Sequence, residues 1–216
     1  SMWKNGVEDT TANGLPWTNN FNGPNPGEKY TGGLNPTMGN WDCYFSGGSC
    51  SGEPIEDASG GKALHFTNTS SNEGYVAWAM PTDLTSGKLL YQFDFKMLGT
   101  TAVPLSVMPD ETGWQPVISI EKNQVNVSGG VQSSIGTYRL NEWNTVKLLF
   151  DIDNKEVTVY YNGNSTTTAK TYHRCMKFVL WKDADICIDN LHAELIDVNQ
   201  AVSAEYSTGE NTIGKY

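Results

Sequence analysis

Apolar and polar residues alternate with a period of two along several stretches of this chain. The sharpest runs from Lys88 to Met97, where Leu89, Tyr91, Phe93, Phe95 and Met97 fall on one side and Leu90, Gln92, Asp94 and Lys96 on the other. Successive side chains of a strand point to opposite faces, so this pattern predicts a strand with one face in a core and the other mostly polar. A second unit runs from Trp143 to Asn162. There Val146, Leu148, Phe150 and Ile152 alternate up to Asp153-Asn154-Lys155, and Val157, Val159 and Tyr161 alternate away from it, which predicts a hairpin. Shorter strands are expected at Ala63 to Thr67, Tyr75 to Met80, Val103 to Met108, Val117 to Glu121, Gln124 to Val127, Met176 to Trp181 and Ile186 to Leu195. Turn-forming residues separate them and no internal repeat is visible. The expected fold class is therefore all-β, a two-sheet antiparallel β-sandwich rather than a propeller or solenoid.

The two ends read differently. Residues 1–42 are dense in Asn, Gly and Pro with Trp17, Tyr30 and Trp41 scattered among them, and are expected to form an irregular arm packed on a sandwich domain at 43–197. Residues 198–216 hold few apolar anchors and read as a tail or linker, so the chain is expected to be one module of a larger multimodular protein.

Charge and cysteine usage narrow the partners. A net charge of −10 opposes phosphate backbones and anionic lipid surfaces, so nucleic acid is not an expected partner. No run approaches the roughly 18 apolar residues that span a bilayer, so membrane insertion is not expected either. Cys43, Cys50, Cys175 and Cys187 lack the spacing of a zinc site, which favours a secreted or cell-surface chain with up to two disulfides. A local bridge could close the Gly-rich loop between Cys43 and Cys50, leaving Cys175 to pair with Cys187. Alternatively, the two later cysteines are reduced, buried strand residues.

The order of segments resembles the concanavalin-like jelly rolls, which include laminin-G-like domains, family 16 glucanases and many carbohydrate-binding modules. Gly60-Gly61-Lys62-Ala63-Leu64-His65-Phe66 is similar to their opening strand. Leu140 to Leu148 followed by Val157 to Gly163 is similar to their Trp-led hairpin ending in an Asn-Gly turn, and Ile186 to Leu191 to their final strand. The resemblance covers roughly residues 60–196. It implies a jelly-roll sandwich but no single function, because the fold hosts binders, hydrolases and lyases alike.

Hydrolysis of a glycosidic bond needs a pair of carboxylates on one surface. The Glu-x-Asp-x-x-Glu strand of the resembling glucanases has no counterpart here, and Glu53, Glu56 and Asp57 sit in a loop-like stretch. Of the lyase set, an Arg-rich strand and a Gln-x-His strand are missing, which leaves Tyr172-His173-Arg174 as the one group to weigh for acid–base work. No nucleophile elbow, phosphate loop or His-Glu-x-x-His occurs. The expected function is thus a non-catalytic carbohydrate-binding module recognising a polysaccharide or glycan. A polysaccharide-active enzyme of the same fold and a laminin-G-like or adhesin domain binding protein are the alternatives.

Seven Trp and ten Tyr in an Asn-rich acidic chain supply the chemistry for sugars, whose C–H faces pack on rings and whose hydroxyls pair with amides and carboxylates. Trp114 follows Pro109-Asp110-Glu111-Thr112-Gly113 in a turn, with little core to enter. Trp181 alternates with Lys177 and Val179 onto an outer face, whereas Trp78 is flanked by apolar residues on both sides. Trp143 starts a strand and is read as structural. If the strand bearing Gln92, Asp94 and Lys96 lies in the concave sheet, as in the resembling family, those residues would line a groove near Trp181. That family also commonly holds a structural Ca²⁺, for which Asp189 or Asp197 could supply hard oxygen ligands.

Overall fold

The computed structural model describes residues 3–4, 7–8, 14–21, 33–38, 41–45, 50–57, 60–69, 72–99, 105–109, 116–128, 133–170, 175–181 and 184–196. Among these residues there is no helix. The strands are β1 (Trp3–Lys4), β2 (Val7–Glu8), β3 (Trp17–Asn19), β4 (Gly33–Met38), β5 (Trp41–Phe45), β6 (Cys50–Glu56), β7 (Lys62–Asn68), β8 (Gly74–Ala79) and β9 (Lys88–Met97). They continue as β10 (Leu105–Met108), β11 (Ile118–Glu121), β12 (Gln124–Val127), β13 (Ser133–Thr137), β14 (Asn144–Asp151), β15 (Glu156–Tyr161), β16 (Asn164–Ala169), β17 (Cys175–Leu180) and β18 (Asp185–Ile196).

Two antiparallel sheets make a sandwich, as the alternation predicts. The first sheet runs β13-β12-β11-β10-β17-β8-β5-β4 and the second β16-β15-β14-β9-β18-β7-β6, with β3 added beside β18. Strands β6, β13, β16 and β4 lie at the sheet edges, and β13 and β16 are Ser- and Thr-rich without apolar alternation. β18 serves three partners because it bulges between Asp189 and His192, where Asn190 takes a left-handed φ of 50°. Before the bulge it pairs with β7, and after it with β3. An extra residue at a bulge keeps the inward and outward sides in step across such a change of partner.

The core lies between the sheets. Leu89, Tyr91, Phe93, Phe95 and Met97 of β9 are fully buried and meet rings from both sheets. Phe93 stands edge-on to Phe178 at 5.0 Å, Tyr91 to Phe150 at 5.6 Å and Phe95 to Tyr138 at 5.8 Å, arrangements that the ring quadrupole favours. Burial of each such ring contributes about 1.5–3 kcal/mol. Two polar ties hold the sheets in register. Asn68 of β7 donates from Nδ2 to the Leu180 carbonyl of β17 at 3.0 Å, and Tyr161 of β15 donates from its hydroxyl to the Thr137 carbonyl of β13 at 3.0 Å. The Tyr161 ring lies so close over Gly136 that a Cβ there would come within 2.7 Å of it.

Three sequence expectations change. Trp78 is fully buried, with Trp17, Phe21 and Phe178 around it, so it has no face to offer a sugar. β8 is buried on both faces except at Tyr75, so its alternation carried little information about direction. Cys43 and Cys187 are buried free thiols, which burial pushes up to about 12 and about 11 respectively. Cys175 lies with Ala77 and Ala79 outside the main core on the first sheet, while Cys187 faces outward from the second. With the whole core between them, Cys175 and Cys187 cannot bridge, and Cys43 takes part in no bridge.

Replacing Phe93 by Ala is expected to cost about 3–5 kcal/mol, and Asp94→Ala about 1 kcal/mol or less, because the first opens a cavity and the second trims an outward group. Denaturant unfolding of both variants checks the facing assignment; equal losses would contradict it.

Candidate outer-face glycan groove

The outward side of β9 fixes the site. Antiparallel register sets Gln92 opposite Lys147 of β14 and His192 of β18, and Lys147 opposite Tyr160 of β15, which in turn faces Ser165 of β16. One continuous row of polar and aromatic side chains therefore crosses the second sheet. In the neighbouring row, Asp94 lies between Thr145 and Asp189. Residues directly opposite in a sheet lie within side-chain contact, so these rows form a surface rather than scattered positions.

Over the β9 to β16 side of this surface opens a groove of about 710 Å³. Its floor is Gln92, Thr145, Lys147 and Tyr160, and its walls are Trp143 and Asn144 on one side and Asn162, Gly163, Asn164 and Ser165 on the other. The second wall is a two-residue hairpin loop in which Asn162 and Gly163 take φ of 48° and 80°. Both positions of a type I′ turn require φ > 0, which an Asn-Gly pair supplies at little steric cost. Asn164 is pinned by a bond from its Nδ2 to the Ile135 carbonyl at 3.1 Å.

The Trp143 ring is held by a clasp. Its Nε1 donates to Oδ2 of Asp57 at 3.1 Å, Lys96 donates to Oδ1 of the same carboxylate at 3.1 Å, and the Lys96 ammonium sits 4.6 Å over the Trp143 ring. The Asp57 side chain is only 7% exposed, so its charge is matched by two donors. Lys96 is thereby committed to positioning one face of Trp143. The sequence places Trp143 outward too, since it shares the parity of Thr145 and Lys147 opposite the buried Val146, Leu148 and Phe150. Its place at the head of a strand masked that signal.

Of the other expected site residues, Gln92 lines the groove floor. Asp94 faces outward beside it, but both its oxygens are engaged: Thr145 donates to Oδ1 at 2.6 Å and Asn190 to Oδ2 at 2.8 Å. Trp181 follows β17 in the opposite sheet, so it does not join Gln92, Asp94 and Lys96. Sheet membership was the missing information, because every residue of β17 is buried. Trp114, Asp197 and Tyr172-His173-Arg174 lie outside the described residues.

Charges around the groove are uneven. Burial lowers the pKa of the Lys147 ammonium, and the carboxylate of Glu194 opposes that shift. Burial pushes the Asp189 carboxyl up to about 6, the Asn190 backbone N–H at 2.7 Å pulling the other way and the charges of Asp94 and Asp57 adding to the rise. Among the described residues no group of three His, Cys, Asp or Glu side chains is arranged to hold a metal. A Ca²⁺ takes about six to eight oxygen ligands.

No family model and no curated protein sequence matches the chain. Its fold is similar to that of solved structures. A sialidase superposes with a TM-score of 0.56 at 13% identity, over 83% of this chain and 20% of its own. The sialidase of Trypanosoma rangeli in complex with 2,3-difluorosialic acid gives 0.55 at 12% identity, over 85% and 32%. A structure concerning the entry of botulinum neurotoxin type C through two ganglioside molecules gives 0.50 at 14% identity, over 83% and 51%. The chain thus spans between 20% and 51% of the length of these proteins, and the likeness is one of fold.

The raised Asp189 carboxyl has a consequence for stability. Its folded pKa lies above the ordinary 3.8, so the folded state holds this proton more tightly and loses stability as pH rises from about 4 to about 6. Replacing Asp189 by Asn should therefore change stability most favourably, relative to the parent, above pH 6. Thermal unfolding of both proteins across pH 4 to 7 measures this; a constant difference throughout would contradict it.

Proposed function

We propose that this chain binds a polysaccharide or glycan in the groove over β9, β14, β15 and β16 without turning it over. The observation that carries the reading is the pairing of two half-buried rings, Trp143 and Tyr160, with the amides of Gln92, Asn162 and Asn164 around one open groove. Rings offer a flat apolar surface to sugar C–H groups, and amides both donate to and accept from hydroxyls. The clasp on Trp143 supports the reading further, because a ring held in one orientation loses little entropy when a ligand stacks on its remaining face. An open groove suits a chain of sugars better than a small enclosed molecule does.

Support for binding without turnover comes from the lining itself. Its described side chains are amides, hydroxyls, rings and one ammonium. The nearby Asp94 carboxylate is occupied by Thr145 and Asn190. Glycoside hydrolysis asks for two carboxyl groups facing the scissile bond. Sialidases and a toxin whose structure concerns gangliosides share this fold, which agrees with a sugar-facing use of the sandwich.

A glycan array followed by calorimetry on a retained ligand tests the proposal. Tyr160→Ala and Gln92→Ala should each weaken binding by about 1–3 kcal/mol, roughly ten- to a hundredfold, with little loss of stability. Trp181→Ala, on the opposite sheet, should leave affinity unchanged. Wild-type affinity in both groove variants would remove the groove from consideration, and release of sugar by the purified chain would overturn the absence of turnover.

A further inference from the structure

Lys147 is the one charged side chain among the described residues lining the groove. It stands in the middle of the polar row, between Gln92 and Tyr160, and is half-buried. Three other half-buried lysines of the second sheet are committed: Lys62 to Glu56, Lys88 to Asp151 and Lys96 to Asp57. Lys147 forms no ion pair among the described residues. The acid whose charge reaches it, Glu194, sits one row away and is directed at His192 at 3.4 Å. A half-buried ammonium with no ion-pair contact among the described residues costs free energy that an incoming anion can offset.

On the reading that the groove binds a glycan, we propose that it selects an anionic sugar unit, whose carboxylate or sulfate is held by the Lys147 ammonium. The neighbours suit this geometry. Gln92 supplies an amide donor directly beside Lys147, so an acidic group seated on the ammonium meets a second donor in the same row. Among the described residues no carboxylate lines the groove to repel it. Net charge does not veto this choice: the chain carries −10, but at physiological salt exposed charges farther than about 8 Å are largely screened. Contact is decided by the local ammonium, while distant acids mainly slow the approach.

The test uses three trisaccharides identical except at the sixth carbon of each sugar, bearing a hydroxymethyl group, a carboxylate or a sulfate ester. By calorimetry the intact chain should bind at least one anionic form roughly ten- to a hundredfold more tightly than the neutral one, the range expected for charge-assisted hydrogen bonds. Comparison of the carboxylate with the sulfate arm tells which anion the groove reads. Lys147→Gln should erase the preference, and Lys147→Arg, which preserves the charge, should retain it. Equal affinity of the intact chain for all three sugars, or a preference that survives in Lys147→Gln, would overturn the inference and leave glycan binding standing. Binding of none of the three, with no ligand found on the array, would overturn both.

Discussion

Everything on the outer face of the second sheet depends on how β9 packs its inner face. Five alternate side chains from Leu89 to Met97 are locked between the sheets, with Phe93 edge-on to Phe178 and Phe95 edge-on to Tyr138. Because side chains of a strand alternate strictly, a slip of one residue would expose all five and bury Gln92, Asp94 and Lys96 instead. Burial of five large side chains at about 1.5–3 kcal/mol each makes that alternative prohibitive. The position of Gln92 beside Lys147, and of Asp94 beside Thr145, is therefore a by-product of hydrophobic packing on the other side of the sheet.

This coupling explains which parts of the molecule were readable in the sequence. β9, β14 and β15 each have one apolar and one polar face, so their alternation revealed both the strand and its direction. Every residue of β17 is buried, Lys177 included, and every residue of β8 except Tyr75, so neither strand shows a polar face that would give direction, and Trp78, flanked by apolar residues on both sides, is core. β13 and β16 lack the pattern for the opposite reason: as edge strands they bury little, and Ser and Thr suffice. At β3 and β4, short strands lie in a stretch rich in Gly, Asn and Pro that shows no clean period.

The groove was legible in part. Gln92 lies on its floor because parity is a local property. Grouping it with Trp181 failed because parity does not say to which sheet a strand belongs. Trp143, Lys147 and Tyr160 carried the same outward parity as Gln92, on the hairpin that the sequence already predicts, and they become a site only once β14 is known to pair with β9. The clasp of Asp57, Lys96 and Trp143 joins residues up to 86 positions apart and has no local signature. The cysteines teach a related point: four in one chain suggested bridges, yet the sandwich places Cys175 and Cys187 on opposite outer faces.

The groove also unites two kinds of backbone. Its floor rests on β9 and β14, each paired on both sides in the middle of a sheet, whereas one wall is the Asn162-Gly163 turn leading into β16, an edge strand whose exposed Ser and Thr bury little. Such edges open locally at a small fraction of the free energy that unfolds the centre. An occupant touching that wall would couple to this opening, raising its cost by about 2.7 kcal/mol at a hundred times the dissociation constant. Amide hydrogens along β16 would then slow their exchange with solvent while those of β9 hardly changed, so occupancy of the groove is recorded in the kinetics of one edge strand.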